Sequence, residues 1–275
     1  MKTKLLIAFL LTSLYTTADV SLPEKEALQS IYETANGTEW NHKWDLNMPI
    51  ETWYGIKVED GRVIELNLSD NNLSGYLSDE IGNLIYLEKI NLGFNNLSGK
   101  LPVTIGNLHS LRSLELFMNQ FEGEVPSSIG ELKQLEVLSL YSNALVGSIP
   151  QEIMNLTNLK ELLLGSNYFE GNIPTSINQL KHLRKLSLID NKLIGEIPIE
   201  ITELTNLEEL ILSTNKLTGD LPFEINKLRK LNTLMVSDNL LEKEYISISR
   251  DNRPPGMFVI PEENENIIAS EYSED

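Results

Sequence analysis

Apolar and polar positions follow one block along most of this chain, and the block returns every 24 residues. In residues 183–206, LRKLSLIDNKLIGEIPIEITELTN, Leu183, Leu186, Leu188 and Leu193 precede Ile197-Pro198, Ile201 and Leu204, with Asn191 and Gly195 as fixed polar and flexible points. The block restarts at Val63, Leu87, Leu111, Leu135, Leu159, Leu183, Leu207 and Leu231, and asparagine keeps the same step from Asn71 to Asn239. Each L-x-L pair alternates with strand period, which predicts one strand per block and a parallel sheet of stacked strands. The asparagine stands where the chain turns away, and its amide is suited to satisfy backbone groups that no ladder reaches. A G-x-I/L/V-P step closes each block, as in Gly99-Lys100-Leu101-Pro102, where glycine permits a turn and proline removes a donor. Ser78 replaces that proline in the first block, and the eighth block loses both glycine and proline after Leu241.

The pattern is absent from 19–62, which reads as a cap. Ser21-Leu22-Pro23-Glu24 has capping-box spacing at a helix start, Ala27, Leu28, Ile31 and Tyr32 share one helical face, and Asn36-Gly37 marks a stop. Trp40, Trp44 and Trp53 are the chain's three tryptophans, and covering the open end of a stack is their expected use. Ile56-Lys57-Val58, the turn-like Asp60-Gly61 and Val63 predict a strand folding back onto the first block.

Ahead of the cap, Lys2 and Lys4 precede an apolar run from Leu5 to Leu14, the order of a secretory signal peptide over 1–18. A run of ten residues is too short to cross a bilayer, which needs about 20. The organisation expected is therefore a signal peptide at 1–18, a cap at 19–62, seven regular repeats at 63–230, a divergent eighth repeat or C-terminal cap at 231–256 and an acidic tail at 257–275. A secreted, cell-surface or periplasmic protein without a transmembrane segment follows. Forty acidic against 22 basic residues give a net charge of -18, which argues against nucleic acid as a partner. The chain has no cysteine, so disulfides and thiol chemistry are excluded.

Self-similarity at this period is the signature of a leucine-rich repeat, and the fold class expected is an α/β leucine-rich repeat solenoid. It has eight repeats, a parallel sheet on the concave face and an N-terminal helical cap. Residues 87–108, LEKINLGFNNLSGKLPVTIGNL, resemble the plant-type extracellular repeats of receptor ectodomains and polygalacturonase inhibitors. In that family a C-x-W-x-G-V-x-C motif precedes the first repeat, and 51–58 read ETWYGIKV here. Glu51 and Val58 occupy the cysteine places, as in cysteine-free versions found in secreted bacterial proteins. The resemblance implies ligand recognition through the concave face.

No residues stand out for chemistry. His42, His109 and His182 are too dispersed to converge, no paired nucleophile, phosphate loop or zinc pattern is present, and the EENE run of the tail reads as solvated acid rather than a calcium site. No catalytic residue, metal or cofactor is expected. The scaffold leaves free the outward positions of the strands. Between the inward leucines these run Asn67, Asn91, Glu115, Ser139, Leu163, Ser187, Ile211, Met235, and two residues on Ser69, Gly93, Phe117, Tyr141, Gly165, Ile189, Ser213, Ser237. With the adjoining Phe94 and Met118, the candidate ligand residues are Phe94, Phe117, Met118, Tyr141, Leu163, Ile189, Ile211 and Met235. They form a stripe roughly 29 Å long at a strand spacing of about 4.8 Å, with a protein ligand expected. Inhibition of a secreted hydrolase such as a polygalacturonase, and adhesion to glycan or ice, are the alternatives; the irregular columns speak against the last.

Overall fold

The computed structural model describes residues 19–242 and the backbone of the two-residue strand Ile248–Ser249. The proposed signal peptide and acidic tail lie outside these residues.

Among the described residues, ten strands form one long sheet. Its interior strands run parallel with identical register: Leu66 faces Ile90, Ile90 faces Leu114, and the match continues through Leu138, Leu162, Leu186 and Leu210 to Leu234. A 24-residue spacing of apolar residues therefore becomes a ladder in which each leucine stacks on its counterpart one coil away. These leucines are fully or almost fully buried. Both ends of the sheet are closed by antiparallel strands, Ile56–Glu59 against Arg62–Asn67 and Ile248–Ser249 against Thr233–Met235. The first is the fold-back strand expected from sequence, turned at Asp60 and Gly61, which both have positive φ.

Two features of each coil were not expected. The glycine step does not simply turn the chain: it forms a second parallel sheet, running from Ser74–Tyr76 through Asn96–Lys100 and Gln120–Glu124 to Lys216–Thr218. The glycines sit within or at the end of these strands at positive φ, as Gly123 does at 75°. The prolines then precede short 3-10 helices such as Val103–Asn107 and Ser127–Glu131, where the missing N–H is not needed. Each coil thus has three sides, with the leucines and isoleucines packed inside.

The asparagine column is built as its chemistry suggested. Asn95 donates from Nδ2 to the carbonyls of Leu68, Leu92 and Gly93, while its Oδ1 accepts from the N–H groups of Asn71 and Leu73. Asn119, Asn143, Asn167, Asn191, Asn215 and Asn239 repeat the donor pattern.

At the N-terminal end the helix Leu22–Thr34 buries Ala27, Leu28 and Ile31. Trp40, Trp44 and Trp53 are buried and form a chain of ring contacts with Tyr32. The capping box is not formed. Ser21 makes no side-chain bond to the helix backbone; its hydroxyl donates to Glu24 Oε2 at 2.7 Å, and Glu24 Oε1 accepts from the Val63 N–H at 3.0 Å. The first repeat strand has an N–H that no neighbouring parallel strand meets, so the carboxylate satisfies that donor instead of its own helix. Ser78, the residue in place of the proline, bonds to the Ser30 hydroxyl at 2.8 Å and also accepts from the Glu80 N–H. It ties the first coil to the cap helix.

Candidate ligand-binding face

Leucines of the long sheet point into the core, so the residues between them form its outer face. After each strand comes one residue held at positive φ, where the chain leaves the sheet: Asp70, Phe94, Met118, Ser142, Ser166, Asp190, Thr214 and Asp238, with φ between 51° and 59°. Short polar side chains tolerate that conformation through local bonds; bulky ones rarely adopt it. Phe94 and Met118 are the two large apolar members of the column. They are 53% and 41% exposed, so little burial offsets the cost of about 1 kcal/mol each.

The two phenylalanines and a tyrosine form a continuous row. Phe94 meets Phe117 edge-on at 5.2 Å between centroids, and Phe117 stacks on Tyr141 at 4.8 Å with planes 6° apart. Gly93 makes room for this row, because a β-carbon there would stand 2.6 Å from Phe117 Cζ. The same device recurs three strands on, where a β-carbon at Gly165 would stand 2.6 Å from Ile189 Cγ2. Side chains of this face therefore lean towards the preceding coil. Between Tyr141, Leu163, Gly165, Ile189 and Ile211 the lean leaves an open depression of about 240 Å³.

Of the residues expected from sequence, Phe94 and Met118 stand clear of the surface, while Phe117, Tyr141, Leu163, Ile189, Ile211 and Met235 are half-buried. Two serines at outward positions of the strands are covered. Ser139 is 3% and Ser213 4% exposed; both side chains are short and set among larger neighbours, and Ser213 Oγ pairs with Ser237 Oγ at 3.2 Å. Sequence reasoning passed over Gly93 and Gly165, whose signal was a glycine one repeat before a bulky residue.

Charges surround the stripe. Lys185 sits between Glu161 and Glu209 at 3.6 and 3.7 Å, Lys89 lies 3.9 Å from Glu65, Arg184 lies 4.0 Å from Glu208, and Glu136 is paired with both Arg112 and Lys160. The Lys160 hydrogen bond, opposed by desolvation and aided by the charges of Lys160 and Arg112, lowers the Glu136 pKa. Burial, with a smaller contribution from the Glu115 charge, pushes the Tyr141 hydroxyl up, so Tyr141 is neutral at pH 7. Among the described residues no three His, Cys, Asp or Glu are grouped to hold a metal ion, and no helix is long and apolar enough to cross a membrane.

Family models for a leucine-rich repeat region and a leucine-rich repeat match residues 59–187 and 206–228. The chain is a leucine-rich repeat protein of the plant type. Among solved structures, this leucine-rich repeat protein is similar to the PEPR1–AtPEP1 complex, with 35% identity and a TM-score of 0.72 over 79% of this chain and 31% of that one. It is also similar to the ectodomain of the receptor kinase GASSHO1/SCHENGEN3 from Arabidopsis thaliana in complex with CASPARIAN STRIP INTEGRITY FACTOR 2, with 28% identity and a TM-score of 0.68 over 82% and 30%. A plant ice-binding protein matches at 26% identity and a TM-score of 0.59, over 84% of this chain and 90% of that one. This leucine-rich repeat chain thus spans under a third of the receptor structures named here. None of the curated proteins matches it.

Proposed function

We propose that this chain is a secreted, non-enzymatic recognition module that binds a protein or peptide ligand across the apolar stripe of its long sheet. The observation that carries the reading is the pair Phe94 and Met118. Both are bulky, both hold positive φ, and both are exposed where other coils have Asp, Ser or Thr. The scaffold holds positive φ at this position in every coil, and bulky exposed side chains kept there in two coils suit recognition. Phe117 and Tyr141 continue the same surface, with the depression beyond them, as an aromatic anchor row with a polar rim. A similar structure, the plant peptide hormone receptor RGFR1 in complex with RGF2, at 39% identity over 62% of this chain, supports a peptide-like ligand. Secretion rests on the export-like order of residues 1–18.

Ice adhesion has one supporting likeness, the plant ice-binding protein. It fares worse on the surfaces themselves, because the second sheet pairs Glu124 with Val146, Val146 with Tyr168, Glu170 with Lys192 and Ile194 with Lys216 rather than repeating one small polar group. Inhibition of a secreted hydrolase is a special case of protein binding by the same face.

Selection of binders to the full chain from a random peptide library, followed by hydrogen exchange of the complex, tests the reading. Protection is expected along strands Ser113–Glu115 to Glu209–Ile211. Protection confined to the second sheet or the 3-10 helices would overturn it.

A further inference from the structure

We propose that the ligand of this face is a cationic peptide, with a bulky apolar side chain in the depression beside Tyr141 and basic side chains against Glu115 and Asp190. The proposal rests on the reading of the face given above and adds the chemistry of the partner.

Charge bookkeeping on the face is one-sided. Its lysines and arginines already face glutamates on neighbouring strands, Lys185 with one on each side. Asp70, Glu115, Asp190 and Asp238 have no cation within salt-bridge distance among the described residues; Glu115 accepts only from the Ser113 hydroxyl, at 2.8 Å. Two of these four border the apolar stripe. Glu115 ends the strand Ser113–Glu115, beside Ser139 of the next strand and two residues before Phe117, and Asp190 follows Ile189, a wall of the depression, and is exposed. A ligand covering the stripe would desolvate these carboxylates, which is unfavourable unless it brings its own cations.

The same accounting rules out other occupants. The chain's own residues 257–275 carry six acids and no Lys or Arg, so they would be repelled. A second copy, at a net charge of -18, would set like charges against like. The dimensions suit a short extended segment: from the strand of Glu115 to that of Ile211 is four steps, about 19 Å, or roughly six residues of extended chain.

The test uses the full chain and two synthetic nine-residue peptide libraries, each with Leu or Phe at the centre. One carries Lys and Arg at its variable charged positions and the other Asp and Glu. The cationic library is expected to yield binders whose affinity falls markedly between about 50 mM and about 300 mM salt. Glu115→Gln and Asp190→Asn should each weaken them by about two- to fivefold, while leaving a neutral apolar peptide unaffected. Binders that are neutral or anionic, yet lose affinity in Phe117→Ala, would overturn the charge proposal and leave the face as the site. Binders indifferent to Phe117→Ala, or none from either library, would overturn both.

Discussion

The ring of Phe117 lies over Gly93, so close that a β-carbon on Gly93 would come 2.6 Å from its Cζ. One residue's missing side chain thus determines where another residue's ring rests, and with it the spacing of the row from Phe94 to Tyr141. Gly93→Ala is expected to tilt the Phe117 ring, broaden the Phe117–Tyr141 stack and weaken ligand binding about tenfold. The midpoint of unfolding should fall only slightly, because Gly93 has an ordinary φ. A crystal structure of the variant showing the ring unmoved would contradict this.

Phe117→Ala and Tyr141→Ala should each cost about 1 kcal/mol of stability, the worth of a ring pair beyond its area, and considerably more in binding, about 2 kcal/mol. Chemical denaturation together with peptide affinity separates the two effects. A stability loss exceeding the binding loss would mean that the rings serve packing alone.

Asn167 is 5% exposed; it donates to the carbonyls of Leu140, Leu164 and Gly165 and accepts from the Leu145 N–H. Asn167→Leu leaves the buried Leu145 N–H without its partner and removes one bond each from the carbonyls of Leu140, Leu164 and Gly165, which keep Asn143, Asn191 and the Ser142 N–H, at a cost of about 1 to 3 kcal/mol. An unchanged denaturation midpoint would show that the column does not hold the turn.

Glu24 joins the cap helix to the first repeat strand through the Val63 N–H. Glu24→Ala should therefore loosen the cap locally, by about 1 to 3 kcal/mol, which hydrogen exchange would detect at Val63 and along Leu22–Thr34 before any change at Leu186. Uniform exchange along the chain would contradict the clamp.

The ion-pair ladder at Glu136 gives a pH dependence. Its folded pKa is lowered, chiefly by the Lys160 hydrogen bond. Its contribution is therefore present above the ordinary carboxylate pKa and is lost as pH falls through the folded value. Glu136→Gln should cost below about 1 kcal/mol at pH 7, and nothing once the parent's carboxylate is protonated. A difference between variant and parent that persists at acid pH would point to packing instead.

How much of this was legible in the sequence follows from what repeats and what does not. The leucine and asparagine columns recur at a fixed step, and the asparagines from Asn95 to Asn239 share one role, so the parallel sheet and its turn bonds could be read from the sequence; Asn71 bonds to His42 of the cap instead. The second sheet could not, because its strands contain glycine and exposed polar residues such as those of Gln120–Glu124, which carry no strand period. Glu24 obeyed the capping-box spacing and bonded elsewhere, accepting from the Val63 N–H 39 residues away, a contact that local spacing does not reveal. In the stripe, sequence supplied the outward positions of Phe117 and Tyr141 but not their lean, which depends on what Gly93 and Gly165 omit.

The central claim is that Phe94 keeps an unfavourable backbone for the sake of binding. Asparagine adopts positive φ more readily than phenylalanine, and Phe94 is 53% exposed at φ 55°. Measuring both unfolding free energy and affinity for a peptide selected on the parent protein, Phe94→Asn is expected to be about as stable as the parent, because relieved backbone strain offsets the lost Phe117 ring contact, and to lose about tenfold in binding. A variant that is less stable than the parent, yet binds the peptide equally well, would contradict the account.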